Sequence, residues 1–412
     1  MIRRIIVCLV MAVLVVNFAQ RSPAAEPGAE TYLTGGKLAD GEKALRARLE
    51  RSPRDDSVRF ALGGVQFLRA LERLGQNLHA YGLRQQNFLG MNIVVLNLPF
   101  GKNPHPKTLT YEKARSIVQE WVTDLEAAEK TLAPITDPKV ALPVQVDQIT
   151  LDIGGDSGKP VRLIEVLAVT GLAPRTGGAD QKPLLIRFDR ADVAWLRAYC
   201  HLLSAIGDVV LAHDGRELFE HTAHLFFTNV DTPYAFLKTR GDNPEANAGW
   251  NMAEITDLIA LIHLLRLPVV EPARMKEALR HLEQMIALSR EMWKFALAET
   301  DDDHEWIPNP KQKGPYGVTI AQPLIDAWMK FLDEAEGLLA GRLLVPFWRD
   351  STQGVNLRRV FTEPRNLDLV LWVQGTAAAP YLENGPKTSM DTWTRLTDVF
   401  QGNFFRFFVW VN

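Results

Sequence analysis

The chain is poor in cysteine, has no surplus of positive charge, and carries no long apolar run after Val16. Two cysteines in 412 residues exclude a disulfide-built scaffold, and the lack of any Cys-x-x-Cys excludes a thiolate zinc site. Lysine and arginine number 46 against 49 aspartates and glutamates, a formal charge of −3. No nucleic-acid partner is expected from that balance, because a phosphate backbone demands a basic surface. A bilayer-spanning helix takes ~20 apolar residues, and no transmembrane span is expected beyond residue 25. Gly-x-Ser-x-Gly, Gly-x-x-x-x-Gly-Lys-Ser/Thr and Gly-x-Gly-x-x-Gly are all missing, so no nucleophile elbow or phosphate-cradling loop announces a reaction. No catalytic residue is assigned.

What is present is ordinary globular material, 47% hydrophobic and 23% charged, enough to bury a large core. Met1-Ile-Arg-Arg is a basic start, Ile5 to Val16 is unbroken apolar, and Ser22 and Ala24 are small. That is the layout of a secretory signal peptide over 1–25, cut after Ala24. Its loss would remove Arg3, Arg4, Arg21 and Cys8, leaving Cys200 as a lone thiol. Cys200 lies among apolar residues and reads as buried and inert. The expected location is periplasmic or secreted.

The fold class read from hydrophobic spacing is mainly α: packed helical hairpins with a small β-containing insert. Leu38, Leu45 and Leu49, then Val58, Leu62, Val65, Leu68 and Leu71, mark helices over 38–51 and 55–80. Further helices are expected at 111–132, 190–212 behind an Asp189 cap, 216–227, 251–266, 272–299 and 321–340. Ala44-Leu45, Leu49, Pro53 and Leu62-Gly63 resemble the junction between two tetratricopeptide repeats over residues 38–75. Arg48, Gln66 and Gly75 depart from that family's pattern, and no further copy is visible. The resemblance implies a helix-packing mode and a binding surface, not an activity. The chain divides into a signal peptide, a helical hairpin region 26–139, the insert 140–188, and a helical region 189–412 that could be continuous with 26–139.

In the insert, apolar residues shift from even positions (Val144, Val146) to odd ones (Ile149, Leu151, Ile153), which demands a bulge or two strands. Leu184 to Phe188 reads as another strand, Val161 to Val169 as a helix, and Met91 to Leu98 as a buried strand upstream.

Three groups could hold a divalent metal ion, the one cofactor the sequence suggests. Glu217, Glu220, His221 and His224 share the helix face opposite Leu218 and Phe219, with imidazole and carboxylate at one-turn spacing. The arrangement is not His-Glu-x-x-His, and a solvated helix face is the simpler reading. Asp301, Asp302, Asp303, His304 and Glu305 follow Glu299 at the end of a long helix, where its dipole disfavours acids. A rule broken without visible gain points to function. Asp152 and Asp156 match the first and fifth ligands of a calcium loop, but Gly154, Ser157 and Leu163 break the pattern. A turn explains them better. Phe404 to Trp410 packs five aromatics into seven residues and reads as a last element plugged into the core. His201 and His263 sit among leucines and read as core histidines.

The chain therefore reads as an exported helical protein with a binding or scaffolding role, its partner a protein or small ligand. The alternatives are a metal-dependent enzyme using the Glu/His face, and an envelope protein holding a hydrophobic ligand. Amino-terminal sequencing of the native protein is expected to start at Ala25; a protein retaining Met1 would refute export by cleavage.

Overall fold

The computed structural model describes residues 28–84, 101–154, 160–170, 183–238 and 252–411. The signal peptide expected over 1–25, the strand expected at Met91 to Leu98, and Asp156 of the calcium-loop reading lie outside the described residues. Helix makes up 61% and strand 9% of the structure, so the class is mainly α, with packed helix pairs and sheets of two or three short strands.

The first helices are α1 (Ala29–Thr34), α2 (Leu38–Arg51), α3 (Asp56–Ala80) and α4 (Tyr111–Leu132). Ser52-Pro53 separates α2 from α3. Asp55 caps α3 by accepting from the Val58 N–H at 3.0 Å, and Thr110 caps α4 through the Lys113 N–H at 3.1 Å. α2 packs on α3 and α3 on α4. Gly63 makes the second contact close, because a Cβ there would run into Leu132 of α4.

The insert resolves its parity shift as two strands. β1 (Leu142–Gln145) and β2 (Thr150–Leu151) are separated by a 3-10 turn over Val146–Gln148. β2 pairs with β3 (Val161–Arg162), and α5 (Leu163–Thr170) begins two residues later than the spacing suggested. β1 runs antiparallel to β4 (Leu185–Phe188), with Val144 opposite Ile186. β4 delivers the chain to Asp189.

Helix α6 (Arg190–Ala212) occupies the centre, packed on α4 and on α9 (Pro272–Ala296). Its length and composition would suit a membrane, but it is a core helix, buried between those two. Ala191, Ala194, Ala198, His201, Ala205, Asp208 and Ala212 form a buried stripe at steps of three and four. α9 carries Ala278, His281, Met285, Leu288 and Met292 at the same steps. Arg190 bonds Glu291, His201 meets His281, and Arg274 bonds Asp208. Each advance along α6 is matched by a retreat of nearly the same length along α9, so the two are antiparallel.

Between them the chain forms α7 (Arg216–Thr222), a 3-10 turn over Ala223–Leu225, and α8 (Met252–Leu264). The helix expected over 216–227 thus ends early. Beyond α9 come β5 (Arg266–Leu267, preceding it in sequence) paired with β8 (Leu367–Asp368), then α10 (Gln322–Leu339) and a sheet of β6 (Val345–Pro346), β7 (Gly354–Val355) and β9 (Leu382–Glu383). Helices α11 (Leu357–Thr362), α12 (Leu369–Gln374), α13 (Met390–Val399) and α14 (Phe404–Val411) complete the chain. α14 does plug into the core. Phe404, Phe407 and Phe408 surround Trp328 at centroid distances of 6.3, 5.6 and 5.9 Å, and the Trp195 indole N–H donates to the Trp410 carbonyl at 2.9 Å. Phe405 alone of the five aromatics points outward, at 74% exposure.

Gly63→Ala should cost about 1–3 kcal/mol in urea unfolding, the usual penalty for overpacking. Gly64→Ala, where an added Cβ meets nothing within 4 Å, should be neutral or stabilise by up to ~1 kcal/mol. Equal effects at the two positions would contradict the α3–α4 contact.

Candidate functional site

Antiparallel packing sets the carboxyl end of α9 beside the amino end of α6. The chain leaves α9 at Ala296 and enters a loop held by two buried amides, Asn309 and Gln312. The Asn309 side-chain amide donates to the carbonyls of Ala296 (2.9 Å) and Glu299 (3.4 Å), satisfying end carbonyls that the helix cannot. The Gln312 amide donates to the Glu299 carboxylate at 3.2 Å and to the Asp301 carbonyl at 2.8 Å. The Arg187 N–H of β4 donates to the His304 carbonyl at 3.1 Å, tying the loop to the strand. His304 adopts φ 68°, the left-handed region. That reversal leaves His304 facing out and turns Glu305 inward, where its carboxylate accepts from the Asp303 N–H at 3.1 Å.

On the facing side, Asp189 caps α6. Its Oδ1 accepts from the Ala191 N–H at 2.8 Å, and Asp192 Oδ2 accepts from the Asp189 N–H at 2.9 Å, closing a capping box. One carboxylate oxygen from each of Asp189, Glu299 and Glu305 lies within 4.8 Å of the other two. Among the described residues, no lysine or arginine pairs with any of the three. Arg187 instead meets Asp303 at 3.2 Å on the rim.

Crowded, half-buried carboxyls hold protons. Burial, then the charge and hydrogen bond of Asp189, push Glu299 up to about 9. Burial pushes Glu305 up to about 7, with the Asp303 N–H opposing and neighbouring acids assisting. Burial and the charge of Asp189 push fully enclosed Asp192 well above the carboxylate range. This oxygen-only set has two chemical options: retain protons, or exchange them for a hard divalent cation.

Of the acidic run read from sequence, Glu299 and Glu305 enter the site. Asp301, Asp302, Asp303 and His304 stay on the surface or rim, with Asp302 accepting from the Lys313 N–H at 2.9 Å. The Glu/His face does not assemble. Glu217 pairs with Arg266 at 3.1 Å; His221 Nδ1 bonds the Glu217 carbonyl at 2.8 Å and its ring lies on Tyr234. His224 falls in the 3-10 turn and faces Asp257 of α8 at 3.3 Å. Glu217 and Glu220 line an open cleft of about 540 Å³ shared with Arg216, Arg266 and Asp368. Asp152 serves a fastening role: its N–H donates to Glu72 and its carbonyl accepts from Gln76. His263 is exposed on α8, not in the core.

Sequence reasoning saw Asp189 as a helix cap and missed its convergence with Glu299 and Glu305. Its Asp-x-x-Asp spacing signals only the capping box, and nothing local links it to Glu299.

Without cations, the folded state keeps protons on Glu299 and Glu305 that the unfolded chain releases near 4.5. Their contribution to stability is therefore full below pH 4.5 and is lost as pH rises through about 7 and then about 9. In chelator, the melting temperature should fall between pH 6 and 9, and Glu299→Gln should flatten that fall. A decline unaltered by the substitution would contradict this account of the carboxyl group. Comparison of the chain with protein-family models, curated proteins and solved structures finds no match.

Proposed function

We propose that this is an exported helical binding protein that takes up one hard divalent cation, calcium, magnesium or manganese, at Asp189, Glu299 and Glu305. The convergence of three carboxylates, with no basic partner among the described residues, carries this reading. Support comes from the loop's construction: buried Gln312 orients Glu299 from behind, as outer-shell amides do for metal-ligating carboxylates. Hard cations of this class prefer oxygen donors, and the site offers only those. The cation would replace retained protons and pin the 299–320 loop against the amino end of α6. The basic start, apolar run and small residues of 1–25 support export.

Calorimetry on chelator-treated protein should show one site for calcium or manganese, with Kd on the order of 10⁻⁵–10⁻³ M. Affinity should rise between pH 6 and 8, because binding must displace the protons of Glu305 and Glu299. At a hundredfold excess over Kd the cation should stabilise by about 2.7 kcal/mol, and an Asp189→Asn, Glu299→Gln double variant should lose both effects. A native protein with no binding heat and no melting shift for any of the three ions would overturn the proposal.

A further inference from the structure

The α6–α9 seam holds a polar couple that the carboxylate site does not use. His201 and His281 are 6% and 3% exposed. Their Nδ1 atoms face each other at 2.7 Å, with ring planes tilted by 48°. At that distance one Nδ1 carries the hydrogen and the other offers its lone pair. A tetrahedral metal at about 2.0–2.1 Å from each nitrogen would hold them roughly 3.3 Å apart, so the gap suits a shared proton better.

The outer nitrogens face charged groups from all three packed helices. His201 Nε2 lies 3.5 Å from Glu129 of α4. His281 Nε2 lies 3.7 Å from Asp208 of α6, 3.8 Å from Glu126 of α4 and 3.3 Å from the Arg280 guanidinium of α9. Arg197 of α6 binds Glu129, and Arg274 of α9 binds Asp208. Three acids and three arginines thus surround the pair, and their charges cancel while both rings are neutral.

We propose that the His201–His281 couple is a proton-operated lock on the α6–α9 seam, closed while the pair carries at most one positive charge and forced open when both rings are charged. Two imidazoliums would point N–H at N–H across 2.7 Å in a buried seam, with neither nitrogen able to accept. A single added proton leaves the central hydrogen bond intact and places a second N–H toward Glu129 or Asp208. Burial lowers the proton affinity of His201, and the hydrogen bond to Glu129 only partly offsets it.

The sign follows from proton counting. The unfolded chain binds a proton on His201 below about 6.5, while burial and the facing His281 Nδ1 hold that proton off in the folded chain. Stability from the lock is full above that value and is lost as pH falls below it. Glu129 acts in a lower window. Burial opposes its ionisation, yet hydrogen bonds from His201 and Arg197 hold it to about 2. Its contribution is therefore lost only as pH falls from 4.5 toward 2.

His281→Asn keeps an amide donor opposite His201 but cannot titrate, and it leaves the carboxylate contribution of Glu299 and Glu305 in place. In urea unfolding of the full chain in chelator, the unfolding constant of the unaltered protein should therefore rise relative to that of His281→Asn by up to tenfold per pH unit as pH falls from 6.5 to 5. Histidine-ring NMR of the unaltered protein should show one slowly exchanging, downfield imidazole proton and no more than one proton taken up by this pair while the protein stays folded. Two rings that each become doubly protonated in folded protein at pH 5 would overturn the lock, as would an unchanged slope in a folded His281→Asn variant. The NMR result decides the matter even where the variant does not fold.

Discussion

The structure depends on how closely α6 and α9 approach. Alanine at 191, 194, 198, 205 and 212 leaves little between the two backbones, and Ala278 and Ala296 answer from the other side. Small side chains contribute modest transfer free energy each, so such a seam gains through dense contact. Alanines alone also tolerate sliding. The polar exceptions remove that freedom: Arg190 with Glu291 at 2.7 Å, His201 with His281, and Asp208 with Arg274 at 2.9 Å fix one register along the helix. Buried charge is a costly way to gain stability and a good way to specify alignment. The other helices take their places from this pair. α4 reaches α6 where Gly207 has no side chain to keep Val122 away, and Arg115 donates to the Leu211 and His213 carbonyls at the far end.

The same antiparallel arrangement explains an acidic loop that looks misplaced from its own helix. Glu299 and its neighbours follow the carboxyl end of α9, where the helix dipole repels them. Packing puts that end beside the amino end of α6, whose N–H groups and positive dipole favour negative charge. The acids are unfavourable for the helix they follow and suited to the one they adjoin. The fit is incomplete, because Asp189 already satisfies the first N–H groups of α6. Three carboxylates then compete for one electropositive spot, which is why protons stay on Glu299 and Glu305.

The long helices were legible because their apolar residues repeat at helical spacing for many turns and their caps are explicit. Asp189 marks the start of α6. Legibility failed where the backbone tightened without a change in pattern. Leu225 and Phe226 continue the apolar face of α7, yet the chain switches to 3-10 geometry after Thr222 and carries His224 away from His221. For the carboxylate site, the sequence showed a concentration of acid but not its direction. Direction came from the left-handed His304 and from Asn309 and Gln312, whose amides act across the loop. Asp189 could be paired with Glu299 only once the alignment of α6 with α9 was known. His201 read correctly as a core histidine, but its partner His281 needed the same alignment.

Two titrating centres therefore sit on one seam with opposite demands. The carboxylates at its end lose stability as protons leave, and the imidazoles at its middle lose stability as protons arrive. Between the usual carboxylate and histidine ranges their effects oppose, so the seam is less sensitive to pH there than either centre alone. A cation at the end would relieve the alkaline loss without touching the histidines, since it replaces protons only on Glu299 and Glu305. Ion binding would then extend the working range upward while the imidazole couple still sets the lower limit. The two centres act separately because each is compensated locally: the imidazoles by acids and arginines on α4, α6 and α9, the carboxylates by a helix terminus and whatever ion or proton they hold.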